Sequence, residues 1–310
     1  MSMGRIDVHQ HLLPGGYVEW LRSEGIGQAG GRELPAWSAD GAIALMDDNS
    51  ISTGVLSLST PGTHLGDDAR ALDKAREVND FGAELAKDRP DRFGYFATIP
   101  LPYVDGAVQE AVRALEELGA DGVVLLANNR GTYLGDPAFE PLMAELDRRS
   151  AVVFVHPAEL PAPAVPGLPP FAADFLLDTT RAAANLVLHN VPRRYPNLKI
   201  ILSHAGGFLP YAAHRIAVTF IGQGRDSGEV FEDLSSFYFD TALSGSPTAL
   251  PSLLAFARPG HVLFGSDWPF APDLAVKYFT DGLDAYESGD TDLHQAIDSA
   301  NALALFPRLA

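Results

Sequence analysis

Two histidines one residue apart, in Arg5-Ile6-Asp7-Val8-His9-Gln10-His11, close a short apolar run near the start of the chain. Alternate residues of a strand share a face, so this spacing lets both imidazoles aim at one point. Three later segments have the same form, an apolar run ending in a group that binds metals or moves protons: Val152-Val153-Phe154-Val155-His156, Ile200-Ile201-Leu202-Ser203-His204 and Val262-Leu263-Phe264-Gly265-Ser266-Asp267. His9, His11, His156 and Asp267 together offer a divalent ion three imidazoles and a carboxylate, and a water or substrate oxygen would complete the shell. His204 suits acid/base duty better, because an imidazole near a dication can exchange a proton with substrate or bound water around neutral pH. Taken singly, each group has a plainer role: His156 could hydrogen-bond a loop, His204 could sit in the core or add a ligand, and Asp267 could organise a turn in Gly-Ser-Asp-Trp-Pro. Their shared position at the ends of apolar runs favours chemistry. His64, His189, His214, His261 and His294 have no partner at ligand spacing and are expected to be structural or at the surface.

The elements that must hold these groups alternate between β-rich runs and longer helical stretches. Strands are expected at 4–9, 51–59, 93–98, 121–126, 151–156, 199–203, 235–240 and 260–264, bounded by Gly, Pro, Asp or Asn. Helices are expected near 38–49, 67–89, 104–118, 137–149, 172–190, 207–221, 247–257, 272–284 and 291–305. Asp105 and Asp136 look like N-caps, the latter followed by Pro137 at the first helical position. Alternation of this kind predicts parallel pairing through right-handed crossovers and an α/β fold, a (β/α)8 TIM barrel whose catalytic groups lie at the C-terminal ends of the strands. One domain over 1–310 is expected, with an insertion at about 12–37 over the barrel mouth, where glycines and Trp20 and Trp37 precede the first helix. The segment 161–170, rich in proline, should form an extended loop directly after the His156 strand.

Composition narrows the functional classes. With 22 Lys and Arg against 40 Asp and Glu the net charge is -18, which disfavours nucleic acid and anionic membranes as partners. There is no cysteine, so neither a disulfide nor a thiolate site is available and any metal must be bound by nitrogen and oxygen. No uninterrupted apolar stretch is long enough to span a bilayer, and the first strand begins too early to follow a secretory leader, so a cytoplasmic location is expected.

The segments Ile6 to Pro14, Phe154-Val155-His156-Pro157, Ser203 to Gly207, Gly265-Ser266-Asp267-Trp268-Pro269 and Asn301 to Phe306 resemble the amidohydrolase superfamily, over essentially the whole chain. Within it the chain resembles the amidohydrolase 2 branch of aminocarboxymuconate semialdehyde decarboxylase and the aromatic acid decarboxylases. Leu134 to Phe139 and Asp178 to Arg181 are similar to 6-methylsalicylate decarboxylases. The resemblance implies one divalent ion, Zn2+ first and Mn2+ second, on His9, His11, His156 and Asp267. It implies nonoxidative decarboxylation of a small aromatic or unsaturated carboxylic acid, a 6-methylsalicylate-like acid among the candidates, with Asp267 or His204 delivering the proton. The lysine that bridges two metals in binuclear relatives has no counterpart, since the fourth strand ends in Ala127-Asn128-Asn129. A homodimer is also implied, sometimes with an arginine contributed across the interface. Hydrolysis of a lactone, ester or amide on the same scaffold is the competing reaction. A carboxylate substrate needs a cation besides the metal; Arg181 is the first choice, and Trp268, with Phe270 and Trp37, is expected to wall the substrate.

Overall fold

The computed structural model describes residues 4–309. Its first strand, β1 (Arg5–His11), runs parallel to β2 (Ile51–Ser57). The chain then adds β3 (Phe93–Thr98), β4 (Gly122–Leu126), β5 (Val152–His156), β6 (Lys199–Leu202), β7 (Tyr238–Asp240) and β8 (Val262–Leu263), each parallel to the last. Backbone hydrogen bonds from Val8 N to Phe264 O (3.0 Å), His11 N to Trp268 O (2.7 Å) and Asp267 N to His9 O (2.7 Å) return the end of the sheet to its beginning. Among the described residues this is a barrel of eight parallel strands in sequence order, the expected α/β fold.

Around it lie α1 (Gly15–Ser23), α2 (Ala39–Asp48), α3 (Asp68–Asp88), α4 (Val104–Glu116), α5 (Glu140–Arg148), α6 (Pro170–Leu188), α7 (Leu209–Thr219), α8 (Ser227–Ser235), α9 (Ala249–Phe256) and α10 (Asp273–Asp284). The sequence did not signal α1 or α8, both short and flanked by glycine or serine. Asp136 does cap its turn, accepting from Ala138 N at 2.9 Å. Asp105 does not cap α4: the helix begins one residue earlier at Val104, leaving Asp105 inside the first turn, where its charge complements the helix dipole.

The barrel interior is filled by Ile6, Val8, Val55, Phe96, Val124, Phe154, Ile201 and Leu263, with Phe306 closing the end opposite the mouth. Each large side chain so buried stabilises the fold by roughly 1.5–3 kcal/mol, which gives the mouth a rigid apolar floor. One irregularity matters for function. Asp7 pairs with Gly54 and Gln10 with Leu56, so three steps along β1 face two along β2. This bulge lets Ile6 and Val8 fill the barrel while His9 and His11, one register later, both turn to the mouth. The Asp7 carboxylate holds the bulge, accepting from His9 N (3.0 Å), Ser266 N (3.0 Å) and Ser266 Oγ (2.6 Å). Its burial pushes the carboxyl up to about 7.

Candidate metal centre and substrate chamber

At the C-terminal ends of the strands, His9, His11, His156 and Asp267 are all buried and each offers one donor atom within 4.8 Å of the others. The partners of the Nδ1 atoms set the ring orientations. His9 Nδ1 meets Asp240 Oδ2 at 2.9 Å, His11 Nδ1 the Ser57 carbonyl at 3.1 Å and His156 Nδ1 the Pro157 carbonyl at 2.8 Å. A carbonyl or carboxylate oxygen accepts, so each Nδ1 carries the proton and each Nε2 can present a lone pair to the centre. Asp267 Oδ1 stands 3.2 Å from His9 Nε2 and 3.0 Å from His11 Nε2. His9 Nε2, fully enclosed, has no hydrogen-bond partner among the described residues. Convergent buried acceptors of this kind are costly without a cation, and the three-nitrogen, one-oxygen set fits a divalent metal.

The electrostatics agree. Burial pushes the His11 imidazole down and His156 well below its ordinary value, keeping both neutral as ligands must be. Burial also acts to lower His9, but the Asp240 carboxylate, with Asp267, outweighs it and raises the ring to about 10. Asp267 is opposed by its burial, yet the facing His11, His204 and His9 rings hold it well below the carboxylate range.

His204 lines the chamber beside this group, its Nε2 3.5 Å from Asp267 Oδ2. Both residues are in the left-handed region, with φ of 53° and 63°, a conformation L-residues adopt at a cost and often at functional sites. Sequence reasoning missed the residue that joins the parts: Asp240, wholly buried at the end of β7, accepts from His9 Nδ1 and, through Oδ1, from His204 N (2.9 Å) and Ala242 N (2.9 Å). Its signal was present, an acid closing the run Phe237-Tyr238-Phe239 as the other site residues close theirs. Gly265 permits the approach, since a Cβ there would lie 2.8 Å from His9 Cβ and 3.1 Å from Asp240 Cβ.

The chamber holds about 350 Å³ and is walled by Phe171, Phe175, Leu176, Leu243, Phe270 and Phe279. Its one cation among the described residues is Arg32, not Arg181. Arg32 comes from the inserted segment, where a hairpin pairs Gln28–Ala29 with Arg32–Glu33. Its guanidinium donates to the Phe270 carbonyl at 2.9 Å and lies 4.4 Å above the Phe171 ring. Gly30, with φ 59°, lets the hairpin tip press on α6: a Cβ there would meet Phe175 Cζ at 2.4 Å. Arg181 is exposed on the outer side of α6 and lines a different surface hollow with Tyr133 and Arg215, because the inner side of the helix is occupied by Phe175, Asp178 and Thr179. Trp268 is likewise turned from the chamber: its Nε1 donates to Asp273 Oδ1 at 3.0 Å and its ring packs toward Gly41 of α2. Trp37 packs on Phe81 instead. The other five histidines lie outside the site; His64 meets Asp68 at 2.8 Å, His261 stacks on Tyr238 and His214 on Phe231.

A family model for amidohydrolases matches residues 6–308. The 6-methylsalicylic acid decarboxylase of Penicillium expansum is 39% identical over 317 residues, covering 99% of this chain and 97% of that one. A solved amidohydrolase II structure superposes with a TM-score of 0.92 at 36% identity, covering 98% of this chain and 99% of the other. A dihydroxybenzoic acid decarboxylase from Polaromonas, solved with bound manganese and 2-nitroresorcinol, shares the fold at a TM-score of 0.75 and 24% identity, covering 98% and 97%. With a family model spanning nearly every residue of the barrel and a relative more than one-third identical along it, the chain belongs to the amidohydrolase family.

Proposed function

We propose that this protein is a divalent-metal-dependent, nonoxidative decarboxylase of a small hydroxylated aromatic acid, 6-methylsalicylate or a near analogue. The observation that carries the reading is one chamber of about 350 Å³ lined by His156 and Asp267 of the buried three-histidine, one-aspartate group, by the His204 imidazole, by Arg32 as its one arginine among the described residues and by phenylalanine walls. Relatives at this identity bear decarboxylase names, which favours carbon–carbon cleavage over hydrolysis of a lactone, ester or amide.

His9, His11, His156 and Asp267 would hold the ion. When bound, it supplies Lewis-acid charge for the carboxylate and the neighbouring ring oxygen. Zn2+ suits three imidazoles and one carboxylate, and Mn2+ is the alternative, as in the Polaromonas relative. The phenylalanines sandwich the ring and Arg32 faces its anionic edge. Decarboxylation needs one proton at the ring carbon that carries the carboxylate; the C–C bond then breaks, its electron pair returns to the ring and carbon dioxide leaves. His204 is assigned that delivery, because Asp267 is held ionised and directs Oδ1 at the histidine cluster, while its Oδ2 faces His204 Nε2. The homodimer and the cytoplasmic location expected from the sequence belong to the same reading, and light scattering and cell fractionation test them. The main test is carbon dioxide release from a panel of hydroxybenzoates by zinc- or manganese-loaded protein; hydrolysis of a lactone with no release from any acid would overturn the reading.

A further inference from the structure

His9 and His11 owe their ring positions to rigid partners: Asp240 at a strand end, and the Ser57 carbonyl within the β1–β2 ladder. His156 has no such support. Its Nδ1 bonds the carbonyl of Pro157, a residue beyond β5 at the start of an irregular segment that continues through the exposed prolines to α6. The last ladder bond of this edge is Ala127 N to His156 O at 2.8 Å, and proline has no N–H to extend it.

What fixes the Pro157 carbonyl is the other end of its own peptide unit. The Ala158 N–H donates to Asp178 Oδ2 at 2.9 Å. In a trans peptide the carbonyl and the following N–H lie in one plane and point in opposite directions, so clamping one aims the other. Asp178, on α6, is itself fully buried and accepts from Asn128 Nδ2 at 2.9 and 3.0 Å and from Tyr133 OH at 2.8 Å. Every neighbour that meets it is a donor, so an acceptor-only group is required; an asparagine would turn its NH2 on one of them. We propose that Asp178 is a positioning residue for His156, acting through the Pro157–Ala158 peptide: it fixes the plane, polarises the carbonyl and so strengthens the Nδ1–H bond that keeps Nε2 directed at the metal position. The inference rests on the reading of His156 as a metal ligand and adds a residue that never touches metal or substrate.

Asp178→Asn and Asp178→Glu test it against Tyr133→Phe, which removes one donor from the same carboxylate and leaves the peptide clamp intact. Three readouts are metal affinity by chelator competition, the visible spectrum of the cobalt-substituted protein, and kcat and KM separately. Asp178→Asn should bind metal about 10- to 100-fold more weakly, shift the cobalt bands and lose kcat with little change in KM. Asp178→Glu should recover part of the affinity, and Tyr133→Phe should lower the melting temperature with wild-type cobalt bands. Wild-type affinity and cobalt bands in Asp178→Asn would reduce Asp178 to a structural staple and overturn the proposal. Should that variant fail to fold, zinc titration of the wild type followed by amide NMR decides: the Ala158 amide must move with stoichiometric metal, and a stationary Ala158 overturns it. Failure of the wild type to bind any divalent ion would instead sink the functional reading itself.

Discussion

Replacing Arg32 by methionine separates the chamber's cation from the arginine that the sequence favoured. The side chain keeps most of its stem, and so much of its packing, but loses the charge. Arg32 gives one N–H to the Phe270 carbonyl and sits over the Phe171 ring, which orders the guanidinium before substrate arrives and leaves its remaining donors for an anion. A hydrogen bond between charged partners contributes about 1.5–3 kcal/mol; because Arg32 is half-buried, screening favours the lower half of that range, about 2 kcal/mol. At roughly 1.4 kcal/mol per decade this is about a 30-fold loss of kcat/KM on a hydroxybenzoate. Arg32→Lys keeps the charge without the plane and should fall between. The assay is steady-state carbon dioxide release at matched metal occupancy, with Arg181→Met as the control expected to stay within about twofold. Unchanged kcat/KM in Arg32→Met, with a large loss in Arg181→Met, would refute the assignment and return the substrate contact to the outer side of α6.

Other outcomes follow from the same geometry. His204→Asn should retain metal and lose about 10²- to 10⁴-fold in kcat, whereas His9→Ala or His11→Ala should lose metal and activity together; elemental analysis beside turnover distinguishes them, and full turnover in His204→Asn would refute its proton-transfer role. In the metal-free protein His9 is raised to about 10 while His11 and His156 are lowered and Asp267 is already ionised, so metal uptake at pH 7 should displace one proton, from His9. Affinity should therefore rise about tenfold per pH unit up to about 10 and level off above it. Calorimetry in buffers of different ionisation heat measures the proton count, and zero release would contradict the Asp240–His9 pair. Gly265→Ala places a Cβ 2.8 Å from His9 Cβ; overpacking of this kind costs about 1–3 kcal/mol and should lower both the melting temperature and metal affinity, an outcome that leucine substitutions at exposed sites would not produce.

The sequence by itself determined the barrel and the residue types that gather at its mouth. Both are carried by local pattern: short continuous apolar runs separated by helical stretches favour buried parallel strands, and a histidine or aspartate closing such a run arrives at the C-terminal end. His9, His11, His156, His204 and Asp267 were legible for that reason, and Asp240 would have been had the short run before it been read in the same way. What local pattern does not encode is which side of a loop or helix faces inward once distant segments meet. The Gly30-Gly31 hairpin, pressed against Phe175, brings Arg32 into the chamber, and the inner side of α6, filled by Phe175, Asp178 and Thr179, leaves Arg181 outside. Trp268 turns away because Asp273 takes its indole N–H and Gly41 leaves room for the ring. Long-range packing made these choices, since Gly30 against Phe175 and Gly41 against Trp268 bring together residues far apart in the chain, whose contact energies no window of sequence contains.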